Sequence, residues 1–177
     1  LSADGDSYNT AIGFRAAQNS TSASQFTALG ADTLTAQTTA AYNVAIGYGA
    51  MRLPTGLTGN VAIGWNALTS MSGSAGSKYN TAVGYGAGDS VTTADSLTLI
   101  GGAAGSAITT GNDNTAVGYL ALNQVETSGS YTAVGHFAGY HTMGNSNTYI
   151  GEGAGYSGAN ADHGSKNVAV GRGSMYY

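Results

Sequence analysis

The sequence predicts an all-β solenoid, a parallel β-roll in which about ten coils of 17 residues stack in one repeat domain spanning residues 1–177. Two observations carry this. A glycine preceded by an aliphatic, a small and a β-branched residue recurs at Gly13, Gly30, Gly47, Gly64, Gly84, Gly101, Gly118, Gly135, Gly151 and Gly171, with gaps of 17, 17, 17, 20, 17, 17, 17, 16 and 20. The composition is also unusual: 29 of 177 residues are Gly and only 8% are charged, yet 42% are hydrophobic and 12 are Tyr, which favours an ordered repeat over disorder. Units this short bury a core only by stacking on their neighbours, so function has to lie on a surface.

Each unit opens with a strand. The residue before the glycine is always Ile, Leu or Val, and the residue three before it is always Thr or Val. Positions two apart share one face, and branched side chains suit the pleat. Between them stands Ala in eight units, with Leu99 and Tyr149 as the exceptions. A row so uniformly small implies another backbone close behind it, across a flattened coil or across a symmetry axis. The Ala row and the aliphatic row are therefore alternatives for the roll interior and for a seam between subunits.

Four residues before the glycine, seven units carry Asn: Asn9, Asn43, Asn60, Asn80, Asn114, Asn147 and Asn167. In register these amides would bond along the stack as a ladder, a structural role. The glycine itself suits a positive φ or a tight corner. Three residues later small side chains recur, from Ala16 to Ser174, which predicts a second packed strand or corner. The Ser/Thr/Gly-rich remainder, such as 19–24 and 70–77, reads as exposed loop. With about 4.8 Å between stacked strands, ten coils would make a rod roughly 48 Å long.

A net charge of −4 with no basic cluster argues against nucleic acid as a partner. No apolar run approaches the length of a membrane span, and no membrane insertion is expected. There is no Cys. Asp4 and Asp6, or Asp113 between Asn112 and Asn114, supply too few carboxylates for a Ca²⁺ site, and no metal or cofactor is expected. Gly153, Gly155 and Gly158 match the spacing of a dinucleotide fingerprint by chance in so glycine-rich a chain. The three histidines, His136, His141 and His163, accompany no nucleophile motif, and the chain is read as non-enzymatic.

The motif Asn-(Thr/Val)-Ala-(Ile/Val)-Gly, at Asn43 to Gly47, Asn60 to Gly64 and Asn80 to Gly84, resembles the repeat of YadA-like trimeric autotransporter adhesin heads. Extended to Asn80 through Gly88, it is similar to segments of bacteriophage tail fibres. The units here are longer than the adhesins' usual ones and carry aromatic residues after the glycine. The resemblance implies a left-handed parallel β-roll associating as a parallel homotrimer. It also implies a structural and receptor-binding fibre segment, extracellular, on a virion tail fibre that attaches to a host or, alternatively, on a bacterial cell surface.

The position after the glycine is aromatic at Phe14, Tyr48, Trp65, Tyr85, Tyr119 and His136, which in register form a lengthwise stripe. Such a stripe can stack on sugars of a cell-surface glycan or meet a protein receptor, although packing between coils is the commoner use of an aromatic row. Tyr8, Tyr42 and Tyr79, before the Asn row, are read the same way. Ice binding is a further alternative for a regular Thr/Val face, but it needs the Thr row in water, and sharing a face with the aliphatic row argues for burial.

Overall fold

The computed structural model describes residues 8–53, 56–72, 76–158 and 164–177. Among these the chain is all-β and coils as a parallel solenoid without helix. The strands are β1 (Thr10–Ile12), β2 (Thr27–Leu29), β3 (Val44–Ile46), β4 (Leu57–Thr58), β5 (Val61–Ile63), β6 (Gly76–Ser77), β7 (Thr81–Val83), β8 (Thr98–Ile100), β9 (Thr115–Val117), β10 (Thr132–Val134), β11 (Thr148–Ile150) and β12 (Val168–Val170). Ten of them form one parallel sheet in chain order, leaving β4 and β6 as a separate pair.

Register follows the repeat. Thr10, Ala11 and Ile12 stand opposite Thr27, Ala28 and Leu29, and each later pair keeps equivalent repeat positions opposite each other, even across the 20-residue units. In the first of these units the connection between sheet strands carries β6, which pairs with β4 of the preceding coil outside the ten-stranded sheet.

The Ala row points inward. Ala28, Ala45, Ala62, Ala82, Ala116 and Ala133 are fully buried. Facing them from the turn are the small residues three after each glycine and larger ones four after it: Leu34, Met51, Leu68 and Leu122, all fully buried. This second wall is a run of turns, not a strand. Where the Ala row carries a large residue, the opposing position is Gly. A Cβ on Gly88 or Gly105 would lie 2.7 Å from a Leu99 methyl, and one on Gly139 would lie 3.0 Å from the Tyr149 ring. Size is thus exchanged between two facing rows, with Leu99 and Tyr149 each filling the space over a glycine of their own coil and one of the preceding coil. The loop at 70–77, expected to be exposed, also contributes: Met71 is fully buried, as Val91, Ile108 and Val125 are at equivalent places.

The outer sheet face corrects one expectation. The β-branched and aliphatic rows share a face as foreseen, but within the chain that face is not buried. Ile12, Leu29, Ile100, Val134, Ile150 and Val170 are exposed, Ile46, Ile63, Val83 and Val117 are half-buried, and the Thr/Val row beside them is largely half-buried.

The corner is made by backbone conformation. The repeat glycines have φ between 118° and 142°. Three more residues per coil are left-handed, two and four after the glycine and five before it, with φ between 39° and 76°. Most of these carry side chains, at about 1–2 kcal/mol each for the left-handed region. Stacking hydrogen bonds offset it. The N–H groups of Asp32, Asn66, Ala103 and Phe137 donate to the carbonyls of Phe14, Tyr48, Tyr85 and Tyr119 in the preceding coil, at 2.7–3.0 Å.

Asn supplies the other inward polar row. Asn114 Nδ2 donates to the carbonyls of Gly111 and Ser128, both at 3.0 Å, while its Oδ1 accepts from the Tyr131 N–H at 2.9 Å. Asn43, Asn80 and Asn147 likewise tie their coils to the next by a donor and an acceptor, whereas Asn60 accepts from the Asn80 N–H but donates to Asn43 Oδ1 and the Thr58 carbonyl. Where the row lacks Asn it carries Phe26, Leu97 or Tyr131, buried to within 2%. Each receives the preceding Asn at its own N–H, so the ladder survives single interruptions.

Candidate functional surface

Three features face solvent: the outer sheet face and an aromatic row after the glycine corner, both lengthwise, and a short aromatic row in the last three coils. The sheet face is built by strand alternation alone. With Ala pointing in, Thr or Val and Ile, Leu or Val must point out. Ten parallel strands hold these side chains in two straight rows with no charged residue in either.

The first aromatic row is the stripe expected from the sequence, and it is interrupted. Tyr48, Trp65 and Tyr85 stack continuously, with centroids 6.4 and 4.7 Å apart and planes within 15° and 6°. Tyr119 and His136 form a second stack at 5.6 Å. Gly102 separates the two stacks, and Ala31 separates Phe14 from Tyr48. Phe14 is covered by the Arg15 guanidinium, 4.9 Å from its centroid, which in turn pairs with Asp32 at 2.6 Å. All six side chains are exposed. Beyond His136 the row becomes Glu152 and Arg172, an exposed ion pair at 3.5 Å.

The second aromatic row was missed from the sequence. Five residues after the glycine, the last three coils carry Tyr140, Tyr156 and Tyr176, stacked at 5.4 and 4.8 Å with planes within 9°. Three consecutive Tyr at one repeat position were the available signal. Phe137 stands edge-on to this stack, 5.2 Å from Tyr140 and 6.1 Å from Tyr156. Tyr8, Tyr42 and Tyr79 occur in alternate coils and are exposed; the Tyr79 ring lies over Gly59, where a Cβ would sit 3.1 Å from it.

The remaining candidates are dispersed. His136 belongs to the stripe, whereas His141 lines a groove of about 340 Å³ with Glu126 and Met143. Asp4, Asp6 and His163 lie outside the described residues. Asn114 beside Asp113 is committed to the ladder, and among the described residues no three His, Cys, Asp or Glu cluster. Gly153 and Gly155 sit in a turn, with Gly155 packed on the Tyr149 ring. No helix of the described residues is long and apolar enough to cross a membrane.

No protein-family model, no curated protein and no solved structure matches this chain.

Proposed function

We propose that the chain is a segment of a homotrimeric fibre, a left-handed β-roll of ten coils whose outer sheet face is the seam between three parallel copies. The observation that carries this is the aliphatic row, which faces outward with six residues exposed and Ile46, Ile63, Val83 and Val117 half-buried. Monomeric proteins rarely leave long contiguous apolar surface in water, and this one runs the length of the sheet without a charge to interrupt it. Parallel copies about a common axis would lay identical rows against each other in every coil, so each added coil extends the seam. The Ala row, filled within the chain, is then the roll interior.

A rod of this kind, bearing an exposed aromatic row around the glycine corner from the sheet face, suits a bacteriophage tail fibre that attaches to a cell-surface glycan or protein. The head of a bacterial surface adhesin is the alternative with the same physics. Three copies bind by avidity, without chemistry.

The Val117→Asp variant tests the seam. Placing three carboxylates on one axis should convert the trimer to monomers at unchanged circular dichroism; a variant that stays trimeric removes the face from the interface.

One observation supports a second reading. The Thr and Val row faces outward beside the aliphatic row, at the regular spacing of a parallel sheet, which is the arrangement ice binding requires and which the sequence had argued against. A monomer with thermal hysteresis would establish that reading and displace the first.

A further inference from the structure

Two structural facts meet at the last two coils. Phe137, two residues after its glycine, fills the space beside the Tyr140 and Tyr156 rings. In the next two coils the same position is Gly153 and Gly173, while the Tyr stack continues through Tyr156 to Tyr176. The place that Phe137 occupies in its own coil is therefore open in the coils that follow. The result is a groove of about 320 Å³ lined by His136, Phe137, Glu152, Gly153, Tyr156 and Tyr176. This lies at the lower end of small-molecule sites, about 300–1,000 Å³. It adjoins a second depression of about 480 Å³, lined by Glu152, Gly153, Arg172, Gly173 and Tyr176.

We propose that this groove binds one ring of a neutral saccharide, in the position beside Tyr156 and Tyr176 that Phe137 takes beside Tyr140. The inference deepens the receptor-binding reading above and rests on it for its biological sense. A pyranose has an apolar C–H face for aromatic walls and a rim of hydroxyls that both donate and accept. Both parts are present: the groove supplies the rings of Phe137, Tyr156 and Tyr176 and the Glu152 carboxylate, and the adjoining depression supplies the Arg172 guanidinium paired with it. Adjacent hydroxyls can donate to Glu152 and accept from Arg172. A flat aromatic ligand would leave that pair unused, and a cation would meet Arg172. The pair's own neutrality selects an uncharged sugar. Glycine supplies the floor because any side chain at position 153 would rise beside Tyr176, whose ring a Cβ would meet at 3.7 Å.

The test uses saturation-transfer NMR and calorimetry on the purified chain with maltose, cellobiose, lactose and N,N′-diacetylchitobiose, each up to about 10 mM, the range that a single weak site requires. Saturable binding of at least one sugar is expected, together with its loss in Gly153→Phe. That variant plugs the groove with the side chain and backbone already present at Phe137, since φ is 63° at Gly153 and 55° at Phe137. Affinity should fall at least about tenfold. If Gly153→Phe lowers the melting temperature, Tyr176→Ala removes a wall instead and should weaken binding similarly.

No binding of any of the four sugars overturns the proposal. So does binding that survives both variants, binding that is lost in Trp65→Ala instead, or preferential binding of tetramethylammonium. Light-scattering mass on the same sample keeps the two readings apart: a trimer that binds no sugar refutes the groove alone, and a monomer that binds through it refutes the fibre alone.

Discussion

Replacing Gly118 by Ala separates the two jobs of the repeat glycine. Its φ of 137° lies where L-residues rarely go, and a Cβ there would stand 2.4 Å from the carbonyl oxygen of Gly135 in the next coil. The backbone conformation alone costs about 1–3 kcal/mol. The contact falls on backbone, which cannot swing aside, so coils seven and eight must separate and lose packing worth another ~1–3 kcal/mol. The sum of about 2–6 kcal/mol is a large share of the 5–15 kcal/mol typical of a folded domain. Gly171 is the internal control: its φ is 118°, but nothing lies within 4 Å of its Cβ position. Gly171→Ala should therefore cost only the backbone share. Gly13→Ala controls for position at an end, since its Cβ would stand 2.4 Å from Gly30 O. Urea denaturation followed by circular dichroism measures all three. Equal losses at Gly118 and Gly171 would refute the claim that glycine is required by the coil above it.

Three other outcomes follow from the packing. Leu99→Ala should cost about 2–5 kcal/mol as a fully buried cavity, and Gly105→Leu, entering a φ of 58° like that of Leu122 at 49°, should recover part of it in the double variant. A double-mutant cycle with no coupling would deny the exchange of size between the facing rows. Asn114→Ala should lose about 1–3 kcal/mol for the orphaned Tyr131 N–H alone, and that amide should exchange its hydrogen faster; unchanged exchange at Tyr131 would contradict the ladder. Asp89 is half-buried, and desolvation pushes its carboxyl above the ordinary value despite hydrogen bonds from Ser90. The native state then holds the proton more tightly than the unfolded chain, so this contribution to stability is full below the unfolded value and is lost as pH rises through the folded one. Asp89→Asn should match the wild type at low pH and exceed it above; a difference that does not change with pH would discount Asp89.

The repeat glycines and the Asn ladder were legible because each imposes one residue type in most coils, and period alone then assigns register. Leu99 and Tyr149 were visible as exceptions, but their reason was not, since Gly88, Gly105, Gly139 and Gly155 oppose them from a turn whose position only the coil geometry reveals. The direction of the strand faces was the main ambiguity. Alternation says that Ala opposes Thr and Val, not which of them faces in. What decides it is the turn four residues after the glycine, where Leu34, Met51, Leu68 and Leu122 already fill the interior and leave room only for Ala. Among the candidate surface residues, Tyr48, Trp65 and Tyr85 lie in contact as expected, whereas Phe14 is drawn toward Arg15. The Tyr140, Tyr156 and Tyr176 row was overlooked because its position elsewhere carries Gln18, Arg52 and Asp89, so it is a local feature of the last coils and not part of the repeat.

The central claim is that the aliphatic face, outward in each chain, is covered by two further copies. Light-scattering mass of the purified chain, followed through a dilution series, tests it most directly. The account predicts three times the 17.5 kDa of one chain, unchanged on dilution. A single-chain mass at every concentration would contradict it and leave that face open to water.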